Sequence, residues 1–301
     1  MNAVLNPPRI FPDERHYQAW KNLKLAGYDP KHSNAPVNIA NPFNLRRDET
    51  AQVLDRIRRR NFALYRLDPE RFNTPQAVKA LCRHMGLETS VDSPEAGEDN
   101  VSILEDREES SGHPSRYIPY TSRTLNWHTD GYYYPEGRKI RSFVLHCARP
   151  AHSGGENSMI DHDMLYLEMR DRDPDLADTL CLSDVLTIPQ NRENGRILRD
   201  AFQGPVFSTD HDSRLYMRYT RRKRHIAWKN HPQVNEALEL LDSLLDNPLP
   251  WKSTVRLAAG EGILCNNIVH RRCAYTDVSG GKAGRLFYRI RFLERAGTGG
   301  S

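Results

Sequence analysis

The chain has 301 residues, with Lys+Arg 43 against Asp+Glu 39, a formal net charge of +4 and a hydrophobic fraction of 38%. So small a charge excess sets up no overall field for nucleic acid or a membrane surface, and no apolar run approaches the length that spans a bilayer. Five cysteines, odd in number and lacking a C-x-x-C pair, argue against a disulfide framework or a cysteine zinc site and read as reduced thiols.

Residues 1–47 are rich in Pro and Asn and lack periodicity, which predicts an arm lying on the main domain. Pro7, Pro8, Asp13, Glu14 and Arg15 interrupt the start with no apolar stretch, so no secretory signal is expected and the expected location is cytoplasmic. From residue 48 to 295 the pattern is that of one domain. Asp48-Glu49-Thr50 opens a helix to about Arg60, its acidic first turn suited to the helix N-terminus. Phe62–Leu67 reads as a strand. Thr74-Pro75 starts a second helix, with the threonine as N-cap and the proline at the first helical position, ending near Gly86. Residues 88–124 are polar and carry the acidic run Glu105-Asp106-Arg107-Glu108-Glu109, a composition that predicts a long loop acting as a lid.

Arg141–Cys147 reads as a strand, and Ser153-Gly154-Gly155 turns the chain into another at Glu156–Ile160. Asp161 caps a helix bearing Met164, Leu165, Leu167 and Met169, and a further helix covers about Pro174–Leu180. Leu215–Tyr219 is strand-like and is followed by Arg221-Arg222-Lys223-Arg224, better read as solvated surface than as a nucleic-acid patch. Pro232–Leu245 carries Val234, Ala237, Leu238, Leu241, Leu244 and Leu245 on one side of a helix. Trp251–Leu257, Gly262–Asn266 and Gly284–Phe292 supply the closing strands, and a flexible tail is expected at 296–301. A mostly β core with flanking helices predicts a double-stranded β-helix, the jelly roll of cupins.

Chemistry concentrates in His128-Thr129-Asp130. On a strand, alternation puts the imidazole and the carboxylate on one face, and the distant His270 completes a two-histidine, one-carboxylate set. That set holds Fe(II) on one face and leaves positions open for a cosubstrate and O₂. Alone, a His-x-Asp pair is more often a surface feature than a metal site. His146, His152, His162, His211, His225 and His231 lack a matching partner pattern and read as structural or surface histidines. Arg285, beyond His270, supplies a planar fork of donors for a carboxylate, the bland reading being a strand-end salt bridge. Arg289 leaves the same strand face four residues later. Buried there, it needs an anion to meet it: an acidic group on the substrate, or a lid carboxylate among Glu105, Asp106, Glu108 and Glu109. Cys265 and Cys273 flank His270 as packing rather than ligands.

The segments Asn126-Trp127-His128-Thr129-Asp130, Gly154-Gly155-Glu156-Asn157, Asn267-Ile268-Val269-His270 and Arg285-Leu286-Phe287-Tyr288-Arg289, with the order of elements from about 48 to 293, resemble the taurine/2,4-D dioxygenase family. The resemblance implies an Fe(II)- and 2-oxoglutarate-dependent dioxygenase that uses O₂ to hydroxylate a small molecule and releases succinate and CO₂. It implies that His128, Asp130 and His270 hold the metal, that Arg285 anchors 2-oxoglutarate and that Arg289 contacts substrate. Asn157 stands where the family often has threonine, and an amide also donates to the cosubstrate. Tyr132, in Tyr132-Tyr133-Tyr134, reads either as cavity lining or as aromatic packing. Arg218 and Tyr219 are further substrate candidates. An intact Asp130 argues against the halogenating branch. The same centre serves desaturation or other oxidations in natural-product assembly. The rival outside enzymes is a metal-binding jelly-roll sensor, which has no need of the Arg285 clamp. The partner expected is a small molecule, with neither nucleic acid nor membrane, and self-association is left open.

Overall fold

The computed structural model describes residues 5–28, 34–91, 99–106, 117–193, 195–210, 212–222, 226–277 and 284–297. Ten strands form its two main sheets: β1 Val37–Asn38, β2 Phe62–Arg66, β3 Ser102–Leu104, β4 Leu125–His128, β5 Ser142–Arg149, β6 Asn157–Ile160, β7 Lys252–Val255, β8 Glu261–Cys265, β9 Val269–Arg272 and β10 Leu286–Phe292. The larger sheet runs β1-β2-β8-β5-β10-β3 and the smaller β7-β6-β9-β4. Only the β1–β2 pairing is parallel among the pairings of these two sheets. The two sheets face each other as the halves of a jelly roll, the double-stranded β-helix expected.

Alternation along the strands sorts the side chains into three apolar layers. Phe143, Leu145, Cys147, Met159, Ile263, Cys265 and Phe287 fill the space between the sheets. Val144, Leu264, Ile290 and Phe292, from the opposite faces of β5, β8 and β10, pack under helices α2 Arg47–Arg60 and α3 Pro75–His84. Trp127, Ile160 and Val269 leave the back of the smaller sheet and meet helices α4 His162–Arg172, α5 Pro174–Thr179 and α6 Pro232–Asp246. Caps read from sequence are in place: Thr74 Oγ1 accepts the Ala77 N–H at 3.3 Å, and Asp161 Oδ1 accepts that of Asp163 at 3.0 Å.

Two segments carry elements that the sequence did not suggest. The N-terminal segment contains a helix, α1 Glu14–Gly27, capped by Asp13. It is laid on α4 by the Tyr17 hydroxyl, which donates to Asp171 Oδ1 at 2.7 Å. Within 88–124, Ser102–Leu104 is a strand paired with Phe287–Arg289 on the edge of the larger sheet, so this part is sheet rather than free loop. Glu108 and Glu109 lie outside the described residues, as does the end of the chain from 298.

Candidate active site

The smaller sheet brings two histidines face to face. His270 on β9 is directly opposite His128 on β4, their ring centroids are 4.3 Å apart, and the Phe143 ring lies 4.8 Å from that of His270. Each imidazole is oriented in the same way. His128 Nδ1 is 2.8 Å from the Asn126 carbonyl and His270 Nδ1 is 2.9 Å from the Ile268 carbonyl. A carbonyl only accepts, so the proton sits on Nδ1 and the Nε2 lone pair of each ring is left to bind.

Asp130 joins them by a route the sequence did not suggest. β4 ends at His128, and Asp130 opens a turn, so the two residues do not share a strand. Thr129 is drawn to the other side, where its N–H donates to the Tyr219 carbonyl at 3.0 Å. Gly131 then takes φ 63, a left-handed conformation that favours glycine, and a Cβ there would sit 2.4 Å from Ile140 Cγ1. The chain can therefore fold back under Asp130. What fixes its height is Asn267, itself left-handed at φ 49. Asn267 Oδ1 accepts the Asp130 N–H at 2.8 Å, while its Nδ2 donates to the carbonyls of Asp130 at 2.9 Å and Ile140 at 2.7 Å. Asn267 lies inside a segment singled out by sequence, yet only its contacts reveal what it does.

One ligand atom from each of His128, Asp130 and His270 lies within 4.8 Å of the others. Asp130 Oδ2 is enclosed without a hydrogen-bond partner. Burial pushes the Asp130 carboxyl up, but Arg289, the His128 ring, Arg291 and His270 together hold it well below the ordinary carboxylate range. Burial, with His128 beside it, pushes His270 down to about 3. An ionised carboxylate and neutral imidazoles are the forms in which these side chains bind metal. A buried carboxylate with one unsatisfied oxygen, set beside two imidazoles whose Nε2 lone pairs are free to bind, fits a divalent cation.

The inner face of β10 carries Phe287, Arg289 and Arg291, and Arg285 stands just before its first residue. Arg285 is 2% exposed, its guanidinium lies 3.9 Å from the Phe287 ring centroid and 5.0 Å from that of Tyr275, and its Nη1 has no partner. It lines a recess with Arg256, Gly154 and Gly155. Arg256 is already engaged by the carbonyls of Ala151, His152 and Gly154. The side chain of Arg285 forms no ion pair with a carboxylate among the described residues; Tyr275 and Asp277 stand near enough to favour its charge, and Nη1 is left for a ligand. Gly154 permits this corner: at φ 72, an added Cβ would stand 2.4 Å from the Ala274 carbonyl oxygen. Asn157 is buried on the inner face of β6, opposite Arg272 and two residues from Met159, which pairs with His270. That places it between the histidines and the Arg285 end, its Nδ2 3.4 Å from the Gly155 carbonyl.

Other expected contacts fall elsewhere. Arg289 Nη1 is 3.3 Å from Asp130 Oδ1, so the anion that meets it is the candidate metal ligand, an alternative to the substrate and lid carboxylates first considered. Tyr132 is in the apolar layer behind the smaller sheet. The Tyr219 hydroxyl donates to Asp242 at 2.6 Å, and Arg218 Nη1 donates to the Tyr132 and Tyr134 carbonyls at 2.5 and 2.6 Å. These two shape the wall through the turn after Asp130 rather than offering those groups to a ligand. His146 bonds Tyr65 and Asn73 on the outer side of the larger sheet, and His162 bonds the Leu215 carbonyl.

Residues 23–291 match the model of the taurine catabolism dioxygenase TauD, TfdA family. A uridine-5′-phosphate dioxygenase of a Streptomyces species is 28% identical over 258 residues, covering 77% of this chain and 85% of that one. A second, from an Amycolatopsis species, is 31% identical over 161 residues, and the match spans 50% of this chain and only 55% of that relative's length. Among solved structures, an asparagine oxygenase holding Fe(II), hydroxyasparagine and succinate aligns with TM-score 0.57 at 15% identity over 93% of this chain and 92% of its own. A taurine dioxygenase from Burkholderia xenovorans aligns with TM-score 0.55 at 17% identity over 84% of each chain. The chain belongs to the TauD/TfdA family of Fe(II)- and 2-oxoglutarate-dependent dioxygenases.

Proposed function

We propose that the protein oxidises a small phosphate-bearing molecule, a nucleoside 5′-phosphate, using Fe(II), 2-oxoglutarate and O₂ and releasing succinate and CO₂. The observation that carries this reading is the convergence of His128, Asp130 and His270, each with a ligand atom within 4.8 Å of the others, around a carboxylate with one unpartnered oxygen. His128, Asp130 and His270 would hold the iron. Arg285, just before β10 and four residues from Arg289, would take the far carboxylate of 2-oxoglutarate. Asn157 would donate an amide N–H to the same molecule. When bound, the iron and cosubstrate supply O₂ activation coupled to oxidative decarboxylation.

The chain's own residues supply position. The Asn126 and Ile268 carbonyls fix both rings, Asn267 sets the height of Asp130, and Phe143 and Phe287 exclude water from the inner wall. The phosphate-bearing substrate is supported by the names of the two curated relatives and by the excess of arginine on the inner face of β10. A sensor without turnover is disfavoured by Arg285, because a signal needs no clamp for a second carboxylate.

With Fe(II) and 2-oxoglutarate, uridine 5′-phosphate is expected to stimulate succinate formation and uridine to do so far less. Absence of succinate with any nucleoside phosphate would remove the substrate reading. The mass of the organic product separates hydroxylation from desaturation.

A further inference from the structure

Arg289 faces Asp130, which leaves open what would receive a substrate phosphate. Arg291 occupies the next inward position of β10. It is 3% exposed, its Nη1 is 3.3 Å from the Tyr133 hydroxyl, and its Nη2 is enclosed without a partner. It is also close enough to Asp130 to help hold that carboxyl low. Tyr133 is also met by Arg199, at the end of the strand Arg196–Arg199, its guanidinium 5.3 Å from the Tyr133 ring centroid. Arg199 Nη2 donates to the Pro189 carbonyl at 2.9 Å, and its Nε is enclosed without a partner. Among the described residues neither guanidinium forms an ion pair with a carboxylate. Tyr133 lies three residues beyond Asp130, in the turn that Arg218 fastens through the neighbouring carbonyls.

We propose that Arg291 and Arg199, both in contact with Tyr133, form the subsite for the substrate phosphate, and that Arg289 serves Asp130 instead. The proposal rests on the phosphate-bearing substrate proposed above and assigns where its charge is met. A buried guanidinium with an unpartnered Nη2 and a half-buried one with an enclosed, unpartnered Nε keep unmet hydrogen-bonding capacity, and a phosphate dianion matches them with charge-assisted bonds. A neutral nucleoside would leave both unsatisfied, and a site built around polar contacts rejects an analogue that lacks them more strongly than an apolar site rejects a missing methylene. Selection for the phosphate would thus reside in the pair rather than in the ribose or the base. Tyr133 would fix the distance from the phosphate to the metal.

The test is anaerobic calorimetric titration of the Fe(II)- and 2-oxoglutarate-loaded protein with uridine 5′-phosphate and with uridine. Wild type is expected to favour the phosphate. Arg291→Gln and Arg199→Gln are each expected to weaken uridine 5′-phosphate by about tenfold or more and to leave uridine affinity in place, with Arg199→Lys recovering part of the loss. Arg199 is only partly buried and lies in a hairpin, so its variants report even if Arg291→Gln does not fold. A phosphate preference intact in Arg199→Gln, or removed only by Arg289→Gln, overturns the subsite while leaving the phosphate-bearing substrate standing. Equal wild-type affinity for the two ligands overturns the substrate reading itself, and the subsite with it.

Discussion

Asn267 shows how much of the site's geometry rests on a residue with no chemistry of its own. Its amide satisfies one N–H and two carbonyls around Asp130, and its left-handed backbone is a conformation that asparagine tolerates better than most residues. Asn267→Ala would leave three buried groups without partners, each worth about 1–3 kcal/mol. The expectation is a lower melting temperature together with Fe(II) affinity reduced by roughly 10–100-fold, the range seen when groups supporting metal ligands are removed. An Fe(II) titration matching wild type would show that Asp130 is held by something else. The sequence picked out residues that the fold does bring together, because His128, Asp130 and His270 are few and chemically distinctive. It misplaced Asp130 on a strand because His-x-Asp spacing looks the same whether the third residue continues the strand or starts a turn. The partners of Arg289 and Arg291 were not legible, since both arginines point inward and only cross-sheet contacts tell them apart.

At the scale of elements, helices with conventional caps were readable to within a residue or two: α2, α3 and α6 begin and end near their predicted limits, and α4 begins at its predicted cap. α1 was not: it is fastened by Tyr17 and Trp20 against the layer of α4 and by charges supplied from elsewhere. Lys24 on α1 pairs with Asp163, beside Asp161, and Asn61 Nδ2 donates to Asp161 at 2.7 Å and Asp163 at 3.0 Å. The strands Leu186–Ile188, Phe202–Gly204 and Ala227–Trp228 form a small sheet, and elements of two or three residues are too short to display a period. The charged lock has a pH consequence. Burial pushes Asp163 up, but Lys24, His162 and Arg295 more than offset this and hold it below its ordinary value. A depressed folded-state pKa gives stability that is present above the unfolded value, about 3.9, and is lost as pH falls toward the folded value. Asp163→Asn should therefore lower the urea midpoint clearly at neutral pH, with the penalty shrinking near pH ~3. A penalty of the same size at both pH values would mean that charge is not how Asp163 holds α1.

For the whole molecule, the jelly roll was legible from β-rich segments with helices outside them, while the pairing order of its strands was not, because β5, β8 and β10 meet across large sequence separations. The assembled barrel sets a candidate metal site on the smaller sheet against a row of inward arginines on the larger, and the account depends on these two walls acting together. Adding 2-oxoglutarate to the Fe(II)-loaded protein without O₂, and following the visible charge-transfer absorption of the chelate, tests this most directly. Wild type should develop the band, Arg285→Ala should need roughly 10–100-fold more 2-oxoglutarate for the loss of a charge-assisted contact worth about 1.5–3 kcal/mol, and Asp130→Ala and His270→Ala should not develop it. A band of wild-type strength in Asp130→Ala and His270→Ala, or an unchanged midpoint in Arg285→Ala, would contradict the account.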